Sequence, residues 1–118
     1  EPDPITGKKL LSLMVHQRSA DIGLGLPFNI TSISLFLYMV AHLTDTTPDF
    51  VNLILGDAYI YKNHIDSLKE QIKRTPFEFP TIKLKRQVND VGDFKFSDFI
   101  LENYNHHKSI NFEIIGAK

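Results

Sequence analysis

Residues 28–44 are apolar on nearly every side of a helix, with Phe28, Ile30, Ile33, Phe36, Leu37 and Val40 leaving no polar stripe. A helix of that kind must be covered by other elements. Its longest apolar run, 33–41, is interrupted by Ser34 and is shorter than the roughly 20 residues a membrane span needs, so the pattern predicts a buried helix. Asn29, Thr31 or Ser32 can cap it. The flanks offer the cover. The mostly apolar run 10–15 reads as a buried strand, and 50–61 as another, broken near its middle by Gly56-Asp57. Ile82 and Leu84 alternate with lysines, and Ile110, Phe112 and Ile114 alternate with polar residues, the period of half-buried strands. Asn63 is placed to cap a short helix whose Ile65, Leu68 and Ile72 fall on one side. Gly23, Gly25 and Pro27 predict irregular or extended backbone before the long helix. The expected fold is mixed α/β (α+β), one unit in which a mixed sheet packs with buried helices. It is incomplete, because the strands at both ends need partners outside these residues.

Composition removes several functional classes. A formal net charge of -1 gives no global field for nucleic acid or acidic membranes. With no cysteine, neither thiol chemistry nor a cysteine metal site exists within these residues. The five histidines show no ligand spacing, so no metal is expected. The opening Glu1-Pro2-Asp3-Pro4 lacks a basic region followed by an apolar core, which makes a cytoplasmic location the expectation.

Gln17-Arg18-Ser19-Ala20-Asp21 follows the first apolar strand, putting a guanidinium fork, a hydroxyl and a carboxylate at a strand end, a set that suits a phosphate. The longer segment, 17–30 (QRSADIGLGLPFNI), resembles the QRSxDxGLGxPFNI signature of the thymidylate synthases. Gly56-Asp57-Ala58-Tyr59-Ile60-Tyr61 is similar to that family's GDxHxY segment, Asn63-His64-Ile65 with Leu68-Lys69-Glu70-Gln71 to its next helix, and Asp93-Phe94-Lys95-Phe96-Ser97-Asp98-Phe99 to its DFKFxDF segment. The resemblance spans roughly residues 10–115. Around 64–68 and 79–84 it is nearest the bifunctional dihydrofolate reductase-thymidylate synthases of protozoa.

That resemblance implies that residues 1–118 are the C-terminal portion of a catalytic domain that methylates dUMP to dTMP with 5,10-methylenetetrahydrofolate. It implies substrate contacts from Gln17, Arg18, Ser19, Asp21, Asn29, Tyr59 and Tyr61. Arg18 and Ser19 would hold the 5'-phosphate and Asn29 the uracil edge, selecting uracil over cytosine. Tyr61 would meet the ribose 3'-hydroxyl, and Asp21 and Gly25 the folate. A homodimer is implied, with no membrane or nucleic acid required.

The chain departs from the family pattern at several points. Tyr59 stands where the family has a ribose-binding histidine, and His16, Ala20 and Ile33 also differ. The ending 112–118 overruns the family's terminus, which closes over the ligands, by two residues. The family's cysteine nucleophile lies upstream of the QRS motif, so no catalytic nucleophile is expected here. Two alternatives remain open: a catalytically inactive nucleotide-binding or dimerisation module, and a related pyrimidine nucleotide hydroxymethylase.

Overall fold

In the computed structural model, which describes residues 2–114, a strand β1 (Leu10–Asp21) runs into a helix α1 (Gly25–Leu43) that returns the chain to a second strand, β2 (Thr47–Tyr59). β1 and β2 pair in parallel, from Leu10 opposite Thr47 to Asp21 opposite Tyr59. Parallel neighbours require a crossover, and α1, packed against both strands, is that crossover. A 3-10 turn (Lys62–His64) leads into α2 (Ile65–Gln71), and a short antiparallel pair, β3 (Thr81–Leu84) with β4 (Phe99–Glu102), completes the mixed α/β architecture. Before β1 the chain makes a tight turn in which the Asp3 carboxylate accepts from Ile5 N, Thr6 N and the Thr47 hydroxyl. This ties the turn to the start of β2.

Several expectations change. β1 continues six residues past Val15, so Gln17, Arg18, Ser19, Ala20 and Asp21 lie within the strand. β2 is not broken at Gly56. A side-chain carbon there would sit 2.8 Å from the Arg18 carbonyl, so glycine permits the close pairing of the strands. The backbone around Gly25 and Pro27 is helical. Pro27 is tolerated because N–H groups in a helix's first turn have no intrahelical acceptor. Asn29, Thr31 and Ser32 are therefore interior, and none caps α1. Nor does Asn63 cap α2: it lies inside the 3-10 turn and donates to Glu113 Oε2 at 3.1 Å.

Residues 110–114 form no strand. Their carbonyls are met by side chains instead, Asn111 O by the Ser67 hydroxyl at 3.1 Å and Glu113 O by His64 Nε2 at 2.7 Å. The last part of the expected altered ending, residues 115–118, lies outside the described residues.

Burial of α1 is one-sided. Leu37 and Ala41 are buried, whereas Phe28 is 68 % exposed and Phe36 48 %, because no described element covers the side facing away from β1 and β2. At 19 residues, with a mean hydropathy of 1.4, the helix is also long and apolar enough to cross a bilayer, which the shorter run 33–41 was not. Its packing on two paired strands makes it a sheet-crossover helix.

Candidate functional site

The C-terminal ends of β1 and β2 and the first turn of α1 meet at one place, because parallel strands joined by a helix bring those ends together. Asp21, the last residue of β1, stands opposite Tyr59, the last of β2, and Ile22 N donates to Tyr59 O at 3.0 Å. The Asp21 carboxylate accepts from Gly23 N at 3.0 Å and Gly25 N at 3.2 Å, giving α1 the capping acceptor its own residues do not supply. At Gly25 a side-chain carbon would stand 3.4 Å from Asp21 Cβ and 3.9 Å from Asn29 Oδ1, so these three residues crowd one corner.

Gln17 orients Asn29. Its Nε2 donates to Asn29 Oδ1 at 3.0 Å and to Ser19 O at 2.9 Å. That assignment follows from the hydrogen-bond network and fixes the Asn29 amide with its oxygen toward β1, and among the described residues Nδ2 donates to no partner. The sequence pointed to both residues but not to their contact, since a strand residue and a helix residue twelve positions apart share no periodicity.

Tyr59 and Tyr61 pack edge to face with ring centroids 5.2 Å apart. The Tyr59 hydroxyl beside it, then the charge Tyr59 can carry, loss of water and the Asp21 carboxylate push the Tyr61 phenol above its ordinary value. Tyr61 therefore remains a neutral hydroxyl donor across the physiological range.

Arg18 is exposed while Gln17 and Ser19 are half-buried. The two-residue period of β1 thus sends Arg18 to the opposite face from its neighbours. Among the described residues no ion pair or side-chain hydrogen bond engages its guanidinium. A ligand held by both Arg18 and Ser19 has to lie across the strand end.

His64 is the residue that sequence reasoning passed over, having treated it only as part of a helix signature. It is 1 % exposed, and its ring is flanked edge-on by Tyr61 at 5.4 Å and Phe112 at 5.2 Å. Its only sequence signal is a polar residue between a strand end and a helix start. Elsewhere, a recess of about 760 Å³ lies among Lys8, Tyr38, His42, Lys83, Lys85 and Arg86, and none of the site residues lines it. Most of its cations are spent on Asp45, Glu102 and Asp98, so it offers little to an anion. Among the described residues no cluster is arranged to hold a metal ion.

A family model described as thymidylate synthase matches residues 4–115. The chain belongs to the thymidylate synthase family. The thymidylate synthase of Herpesvirus ateles is 55 % identical over 100 residues, covering 85 % of this chain and 34 % of that protein. The Saccharomyces cerevisiae thymidylate synthase is 50 % identical over 109 residues, 92 % of this chain and 36 % of that protein. A bifunctional dihydrofolate reductase-thymidylate synthase from Plasmodium chabaudi is 47 % identical over 105 residues, 88 % of this chain and 18 % of that protein. The chain thus spans about a third of the length of the first two relatives. Relatives at about 50 % identity thus include a bifunctional dihydrofolate reductase-thymidylate synthase as well as thymidylate synthases.

Proposed function

We propose that these residues are the C-terminal portion of a thymidylate synthase catalytic domain and supply the uracil, ribose and part of the phosphate contacts for dUMP in its conversion to dTMP. The observation that carries this reading is the convergence of Gln17, Asn29 and Asp21 on the first turn of α1, with the Asn29 amide held in one orientation. A fixed carboxamide whose Nδ2 is free can donate to the O4 carbonyl of uracil, while the second lone pair on Oδ1 accepts from N3–H. Tyr61, a neutral donor, suits a ribose hydroxyl. Tyr59 beside it takes the place of the family's histidine. Arg18, which no side chain engages among the described residues, suits the phosphate.

The folate co-substrate, 5,10-methylenetetrahydrofolate, supplies the one-carbon unit. Asp21 and Gly25 would meet it: each Asp21 oxygen accepts one backbone N–H and retains a lone pair, and Gly25 keeps the approach open. Addition to C6 of dUMP requires a thiolate. No cysteine occurs in these 118 residues, so that group must be supplied from outside them. A homodimer in the cytoplasm completes the proposal.

Tyr59, standing in the place of the family's histidine, favours a second reading, an inactive nucleotide-binding module. Calorimetry and a dTMP assay on the complete protein separate the two. The first reading expects dUMP turnover, and Arg18→Ala should weaken dUMP binding by about 1.5–3 kcal/mol, the worth of a hydrogen bond to a charged group. Tight dUMP binding without dTMP formation supports the second. An unchanged dissociation constant in R18A removes Arg18 from the phosphate site.

A further inference from the structure

His64 touches two parts of the chain that are far apart in sequence. Its Nε2 lies 2.7 Å from the Glu113 carbonyl, which can only accept, so the hydrogen sits on Nε2. Among the described residues its Nδ1 has no hydrogen-bond partner although the residue is buried, and it lies 3.8 Å from Asp21 Oδ1. A buried unpaired nitrogen is a costly arrangement, and here it faces a carboxylate about 0.6 Å beyond ordinary hydrogen-bond reach.

Gly23 makes the approach possible. A side-chain carbon at that position would come within 2.6 Å of Nδ1. The ring is held in place by Tyr61 on one side and Phe112 on the other, so it has little freedom to turn away from either contact. Asn63 and Ser67, from the same turn and helix, hold Glu113 and Asn111 as well. The segment 111–113 is therefore fastened to the 3-10 turn and α2, and His64 alone among these fastenings also faces Asp21.

We propose that His64 is a positioning residue that couples the orientation of Asp21 and the 23–25 turn to the docking of residues 111–113. The idea rests on Asp21 being a ligand residue only for its consequence, that occupancy at Asp21 is felt by the segment around Glu113. The coupling is a property of the unliganded molecule.

The test is a double-substitution cycle in the complete protein, read by amide hydrogen exchange at residues 111–114 without ligand. Asp21→Asn should change exchange there by roughly 5- to 150-fold, the range of ordinary site-to-site coupling. In the H64N background, where the shorter side chain cannot reach Glu113 O, the same Asp21→Asn change should have less than about a twofold effect. In the H64Q background, which restores a donor near the Nε2 position but places nothing where Nδ1 faces Asp21, residues 111–113 should stay docked while the Asp21→Asn effect remains below about twofold. A structural role alone would predict equal Asp21→Asn effects in all three backgrounds, and that result overturns the proposal. So does an Asp21→Asn substitution that leaves residues 111–114 unchanged with His64 present. Failure of the dUMP reading is registered separately, as absent dUMP binding by calorimetry.

Discussion

A carboxamide distinguishes uracil from cytosine only if it cannot turn over, because rotation exchanges its donor and acceptor. Gln17 prevents that for Asn29 by occupying Oδ1. Replacing Asn29 with aspartate removes the free donor and adds an acceptor suited to the cytosine amino group. The ratio of kcat/KM for dUMP over dCMP in the complete protein should then fall by roughly one to two powers of ten, since each unpaired buried polar group costs about 1–3 kcal/mol. A ratio that stays within about threefold would show that Asn29 does not read the base. Gly23 is constrained by sterics alone. Gly23→Ala places a carbon against the buried His64 ring, and overpacking of this kind costs about 1–3 kcal/mol. Chemical denaturation of the complete protein measures it, and an unchanged midpoint would mean that the ring moves freely.

At the scale of elements, the corner between β3 and β4 is held by a charged pair. Asp98 is buried and accepts from Arg86 Nε at 2.7 Å and Nη2 at 2.8 Å, as well as from Lys95 N at 2.8 Å. The Arg86 guanidinium, followed by the Lys95 backbone N–H, holds the Asp98 carboxyl below its ordinary value of 3.8. A depressed folded-state value means that the contribution is fully present above the unfolded pKa and is lost as pH falls through the lower, folded one. Stability of the complete protein should therefore decline below about pH 4, and Asp98→Asn should flatten that acid limb while lowering stability at neutral pH. Thermal midpoints across that range provide the check. An acid limb of the same slope in D98N would assign the loss to other carboxylates. The same element logic explains Arg18 and Ser19: adjacent strand residues face opposite ways, so adjacency in a motif is not adjacency in space.

Over the whole molecule, the radius of gyration is 16.9 Å, against about 13.5 Å for a compact domain of this length. Among the described residues the buried apolar ones are few, Ala20, Leu37, Ala41 and Val88, while Phe50 is 53 % exposed and Met14 61 %. Uncovered apolar area of this kind favours association. The 118-residue chain expressed by itself should bind a hydrophobic dye strongly and self-associate, whereas the complete protein should do so only weakly. Sedimentation and dye fluorescence test this. A monodisperse, dye-negative chain would mean that it repacks to cover α1.

Local chemistry was written in the amino-acid sequence. The apolar run in 28–44 demanded a helix, the 17–30 segment carried the signature of the family, and the alternation at Ile82 and Leu84 marked a strand, because each depends on neighbours within a few residues. The continuation of β1 to Asp21 and of β2 through Gly56 depended on the pairing of the two strands, which overrides local breakers once each backbone finds its ladder partner. For residues 110–114 the outcome was reversed: an alternating pattern formed no strand because the side chains of Ser67 and His64 took its carbonyls. The Gln17 to Asn29 contact and the place of His64 between Asp21 and Glu113 belong to the tertiary structure alone. They join residues whose separation in the chain carries no period, and only the crossover of α1 between parallel strands brings them within reach.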